Sequence, residues 1–180
     1  MRRCKNAYAL VGQALILLAI ALLAWLHILE PEVSPLRQFV SEYARSGSSA
    51  YMSIFFAKLG LGSLLITYSL QHGGTPLAGV ICLYLWSITT LVAGLCTTDG
   101  TTAAPIRTAE GVAHDIAAIA AFIAILASML ATRIRVGQIA FVCAVLGFGV
   151  LSFFDAPGLG ERVFLVVGLA WLISLPKLVR

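Results

Sequence analysis

Two imidazoles, His27 and His114, and two carboxylates, Asp99 and Asp115, are the side chains in this sequence best suited to do chemistry. Imidazole nitrogens and carboxylate oxygens together can supply the ligands of a metal such as zinc. Its bound water could then attack an ester, amide or phosphoester. On that reading His27, Asp99, His114 and Asp115 are the metal candidates, and His114, Asp115 and Asp99 the catalytic candidates, with His114 able to act as a general base. His27 also stands three residues before Glu30, which places both on one helix face, a spacing used for metal ligation in helical bundles. The plainer reading of each imidazole is a rim residue hydrogen-bonded to a neighbouring group. No HxxxH or HExxH motif is present. Haem held by His27 and His114 is a less favoured reading.

A second set could bind without reacting. Arg37, Lys58, Arg107 and Arg162, with Glu42, could balance charge around a ligand cavity. Lys58 lies inside FFAKLGLGSL, where an unpaired ammonium costs about 2.5–3.5 kcal/mol at mid-bilayer. It is therefore expected to face other helices and to meet Asp99 or Glu42. Arg162, in GERVF, could answer Asp155 or Asp99, or hold a lipid phosphate through its planar fork.

What positions these groups is a membrane. Of the 180 residues 60% are hydrophobic and only 11% charged, with a mean hydropathy of +0.97. Apolar runs near the length of about 20 residues that spans a bilayer occur at 7–29, 51–70, 77–96, 113–131, 138–154 and 163–175. They predict an all-α, polytopic bundle of six transmembrane helices forming a single domain over 1–180. Five spans, with 137–180 partly re-entrant, is the alternative. The first run exceeds the h-region of a cleaved leader and lacks a small-x-small site, so a retained helix is expected. The four cysteines lack metal-type spacing and read as small apolar residues.

With six spans both termini share a side. That side carries Arg2, Arg3, Lys5, Arg133, Arg135, Lys177 and Arg180, and the loop around His72, with no acid. Positive-inside bias makes it cytoplasmic. All eight acids then face outward: Glu30, Glu32, Glu42, Asp99, Glu110, Asp115, Asp155 and Glu161. The net charge of +4 is therefore a topology signal, and no nucleic-acid partner is expected.

The outer segment 30–50 carries Leu36, Phe39, Val40 and Tyr43 at helical spacing, between a Ser34-Pro35 start and Gly47. This predicts a short amphipathic helix at the outer interface, its apolar face against lipid or the bundle rim, either a mere connector or a lid. Glu30, Asp99 and Asp155 fall at outward helix C-termini, where the dipole disfavours an anion. A cation is expected beside each. Glu110, Asp115 and Glu161 fall at helix N-termini, where capping electrostatics suffices.

The ordered set LHxLxPExxPLRxxxSEYA, a basic residue within the second span, TTD closing the third, then GxxHD and GxxER resembles a bacterial and archaeal membrane family, domain of unknown function 998. That family is distantly similar to the eukaryotic group containing the FGF-receptor-activating protein and the damage-regulated autophagy modulator. The matching residues are His27, Glu30, Pro31, Pro35, Leu36, Arg37, Ser41, Glu42, Tyr43, Asp99, Gly111, His114, Asp115, Gly160, Glu161 and Arg162. The resemblance covers essentially the whole chain. It implies a six-helix protein of a cytoplasmic membrane and delivers no biochemical activity. The function expected is a non-catalytic one: an outward cavity that binds a membrane lipid or small molecule for sensing or scaffolding. A metal-dependent lipid hydrolase or transferase of the outer leaflet is the alternative. A second copy or another membrane protein as partner stays open.

Overall fold

The computed structural model describes residues 2–45, 47–71, 73–99 and 107–179, with side chains from residue 6 onward. Arg2, Arg3, Cys4 and Lys5 as side chains, His72, Arg180 and part of the loop between the third and fourth helices lie outside the described residues. Among the described residues six helices are long and apolar enough to cross a membrane. They are α1 (Arg2–Leu29), α2 (Ser49–Leu70), α3 (Leu77–Leu95), α4 (Ala109–Ala131), α5 (Arg135–Phe153) and α6 (Pro157–Leu178). The chain is a multi-pass membrane protein.

The boundaries follow local chemistry. Thr108 caps α4, its hydroxyl accepting from the Gly111 N–H at 3.0 Å, and Pro157 starts α6 where a missing N–H costs nothing. Arg133 and Asp155, both at positive φ, end α4 and α5. The last helix runs on through Pro176, deeper than its apolar run suggested. A proline in the final turn forfeits one backbone bond only. Hydroxyls within the bundle bond to their own helix, as Ser63 to Leu59 O, Thr67 to Ser63 O and Ser87 to Leu83 O, each at 2.8 Å. In hydrocarbon that is how a small polar side chain escapes an unpaired donor.

Helices α1 to α4 pack in sequence order, each on the next, and α6 lies against α1 and α2 with α5 on its outer side. Small residues let the backbones approach. A Cβ built on Gly12 would stand 2.5 Å from the Gly62 carbonyl oxygen. Gln13 of α1 donates to Ile173 O of α6 at 2.7 Å, and Trp86 of α3 donates to Ser63 of α2 at 3.0 Å. Helix α6 is the most buried of the six and α5 the least. Helices α4 and α5 come close at Met129 and Gly137, and Gly168 of α6 meets Ile125 and Met129 there. Towards the opposite end, where the acids lie, α4 stands away from the α5–α6 pair.

The segment after α1 forms a short helix, as expected, but of a different kind. Leu36, in a turn, is exposed, and Phe39, just before the helix, is half-buried; only Val40–Arg45 is helical, as a 3₁₀ turn with Val40, Glu42 and Tyr43 buried. Its apolar face packs on the rim of the bundle and not against lipid, the second of the two placements expected for it. The reason is that α6 satisfies its backbone. Leu159 N–H donates to Leu36 O at 3.1 Å, Val40 N–H donates to Glu161 Oε2 at 2.6 Å, and Arg162 binds carbonyls at Pro35 and Gln38. A Cβ on Gly158 would strike the Gln38 carbonyl, so only glycine admits the strap this close.

Candidate functional site

The space between α4 and the α5–α6 pair is a cavity of about 810 Å³ beneath the strap. That lies within the roughly 300–1,000 Å³ of small-molecule sites. Its deeper wall is apolar, with Ile119, Phe122, Ile123 and Leu126 of α4 opposite Phe148 of α5 and Leu165 of α6. Its polar groups gather at the acidic end: Glu42 from the 3₁₀ turn, Thr90 from α3, Arg107, His114 and Asp115 at the head of α4, and Glu161 from α6.

His114 is buried, and its Nδ1–H is shared between the carbonyls of Ala93 at 2.9 Å and Cys96 at 3.1 Å. The carbonyls at the end of α3 lack full helical pairing; Ala93 O takes the Cys96 N–H at 3.4 Å, and the imidazole adds a shorter bond. Carbonyls only accept, so Nδ1 carries the proton and Nε2 is the ring nitrogen left for other work. Phe56 meets the ring edge-on at 6.0 Å between centroids. Asp115 is paired with Arg107 at 2.9 Å, on the more open side of the site.

Glu161 is 8% exposed. It sits in the second turn of α6 on the face that also carries Leu165, Gly168, Leu169 and Leu172, all buried. The expectation that capping electrostatics alone accounts for it is incomplete. Its carboxylate holds the Val40 N–H of the strap and lines the cavity. The signal was legible, because Glu161 and Leu165 are one helical turn apart on the core face. Glu42, 3% exposed, closes its own turn by accepting from Phe39 N–H at 3.1 Å and Gln38 Nε2 at 3.3 Å.

The remaining candidates are placed elsewhere. His27 points its Nδ1–H at Leu23 O (2.7 Å) and accepts at Nε2 from Arg162 Nε (2.9 Å). Both ring nitrogens are spent, so neither zinc nor haem ligation fits without breaking the arginine contact. Arg162 also donates from Nη1 to Pro35 O, Gln38 O and Gly158 O at 3.1, 2.8 and 2.9 Å. Its guanidinium stands 5.9 Å above the Tyr43 ring. It is a clamp behind the cavity wall and answers neither Asp155 nor Asp99. Asp155 instead meets Arg37 at 3.3 Å, with both side chains largely in the open (80% and 74%). Glu30 accepts from the Ser48 hydroxyl at 2.6 Å.

Asp99 has Arg107 and Arg45 near enough to favour its charge, as anticipated, but its direct partners are hydrogen-bond donors. It lies beyond the end of α3 and swings to the start of α4, where the dipole favours an anion. It accepts from the Thr108 hydroxyl at 2.7 Å and the Thr108 N–H at 2.9 Å. The hydroxyl, then the N–H, with Arg107 and Arg45 adding less, hold its carboxyl below the ordinary value near 3.8. A Cβ on Gly111 would land on this carboxylate, so the glycine makes room for it. Lys58, half-buried on α2, makes no ion pair with Asp99 or Glu42 and does not line the cavity. Among the described residues no three His, Cys, Asp or Glu side chains converge as a metal site. The set His27, Asp99, His114 and Asp115 is thus not assembled; only His114 and Asp115 reach the cavity.

Fold and site together define a polytopic α-helical membrane protein with a half-polar cavity at one end of the bundle. The family described as "Protein of unknown function (DUF998)" matches residues 10–175, and the chain belongs to it. No curated relative and no solved structure matches it.

Proposed function

We propose that the protein binds a lipid or another small amphiphile in this cavity, in a sensing or scaffolding role without chemistry on it. The observation that carries the reading is the division of the cavity: apolar and deep along α4, polar at its mouth, like the two ends of an amphiphile. Arg133, Arg135 and Lys177 at the opposite end support an acidic end facing outward from a bacterial or archaeal cytoplasmic membrane, with both termini cytoplasmic. A ligand would then come from the outer leaflet. A binding role is preferred to hydrolysis because His114 is anchored to α3 and, among the described residues, no metal-ligand set gathers around it.

Native mass spectrometry of the purified protein tests this. The wild type should retain one amphiphile per chain after annular lipid is stripped. Ala118→Trp and Ala121→Trp, which fill the cavity, should lose it while helicity by circular dichroism is kept. Retention of the same mass by both variants defeats the reading, as does release of a cleaved lipid that stops in His114→Ala.

A further inference from the structure

We propose that the mouth of this cavity is an ammonium site, so that the amphiphile it takes carries a cationic amine head group. The inference rests on the reading that an amphiphile occupies the cavity and adds what its head must be.

The first observation is charge. Two carboxylates, Glu42 and Glu161, are buried in the same wall. Glu161 spends one oxygen on the Val40 N–H and has no basic side chain within 4.0 Å among the described residues. Its sequence neighbour Arg162 has turned away, committed to His27 and three carbonyls. The basic side chain on the wall, Arg107, is already paired with Asp115. An anionic head such as a free phosphate would find carboxylates and, among the described lining residues, a single arginine already paired. A cationic head would meet the buried Glu161 carboxylate, which has no ion-pair partner within 4.0 Å among the described residues.

The second observation is independent of the acids. Thr90 is 2% exposed, lines the cavity, and its Oγ1 has no hydrogen-bond partner. Nearby Ser87 and Thr89 bond back to their own helix, to Leu83 O at 2.8 Å and Leu85 O at 2.7 Å. Thr90 does not, so its hydroxyl is free to accept from a ligand in the cavity. An unsatisfied buried hydroxyl is costly enough to call for an explanation. A primary ammonium has three donors to distribute; Thr90 of α3, His114 of α4 and Glu161 of α6 offer acceptors to the same cavity from three helices. The third observation is aromatic. Phe39, Phe55, Phe56 and Trp86 line the same space, and ring faces attract alkylammonium groups.

The test uses the full chain in dodecyl maltoside with decylamine, decyltrimethylammonium, decanol and decyl sulfate as probes at neutral pH, read by displacement of the co-purified amphiphile. Decylamine or its trimethyl counterpart should displace it at concentrations at least tenfold below decanol, and decyl sulfate should be weaker still. Glu161→Gln keeps an oxygen for the Val40 N–H, so it should fold normally yet bring the amine down to the level of decanol. Thr90→Val should lower amine binding and leave decanol unchanged. The mass of the co-purified ligand tells a lipid head group from a free alkylamine, and either is expected to bear a basic nitrogen. Decanol matching the amines in the wild type, or an amine preference that survives Glu161→Gln, overturns the ammonium site while leaving amphiphile binding intact. Absence of any displaceable amphiphile, insensitive to Ala118→Trp, removes the underlying reading as well.

Discussion

Arg162→Met should loosen the strap without touching the cavity's apolar wall. The arginine donates to His27 Nε2, Pro35 O, Gln38 O and Gly158 O at 2.8–3.1 Å. Charged hydrogen bonds contribute about 1.5–3 kcal/mol each, but four on one guanidinium are not additive. The guanidinium is half-buried and its partners are neutral, so its removal strands no opposite charge and should cost at least the worth of one such bond, about 1.5–3 kcal/mol. For a chain of this size each kcal/mol moves Tm by about 2–4 °C, so the apparent Tm should fall by about 3–12 °C. Thermal unfolding in detergent, followed by tryptophan fluorescence, measures it, and amide exchange at 33–45 should rise. Arg162→Lys should recover little, since an ammonium cannot present a fork. His27→Phe combined with Arg162→Met should show a coupling of about 0.5–3 kcal/mol. Arg37→Ala is the control. Its ion pair with Asp155 is open to solvent, so its removal should cost at most about 1 kcal/mol. If Arg162→Met stays within about 2 °C of wild type, or Arg37→Ala costs as much, the clamp is not what holds the strap.

Asp99, whose folded pKa is lowered, contributes stability above its ordinary value near 3.8 and loses it as pH falls through the folded value. Tm curves of wild type and Asp99→Asn should therefore differ at neutral pH and converge in acid; a constant gap contradicts the Thr108 assignment. Gly111→Ala puts a methyl onto the Asp99 carboxylate and should cost about 1–3 kcal/mol by the overpacking rule, read as a lowered Tm. Gly62→Val, whose Cβ would stand 2.8 Å from the Gly12 carbonyl, should likewise destabilise by about 1–3 kcal/mol or more. Gly149→Ala has open space around it and should be neutral or raise stability by up to about 1 kcal/mol. Equal effects at the two glycines would refute the close α1–α2 approach.

Sequence alone determined the six helices and the end of the bundle that holds the acids. Hydropathy is summed along a single segment, so it needs no knowledge of neighbours, and the observed helices start and stop within a few residues of the apolar runs. The short helix after α1 was half legible. Its period was read correctly at Val40 and Tyr43, but Leu36 is exposed, because α6 pulls the strap's backbone onto itself.

Partner choice belonged to the tertiary structure. His27 and Arg162 lie 135 residues apart in sequence, and no spacing rule reaches that far. Asp99 looked misplaced because it was referred to the helix it follows, when the electrostatics that governs it belongs to the helix it precedes. Glu161 looked ordinary because it was judged by its distance from a helix start, when the face it shares with Leu165 buries it against the strap. Charge type and helix position are local properties. Which charge meets which depends on how six helices lie side by side, and only their packing decides that.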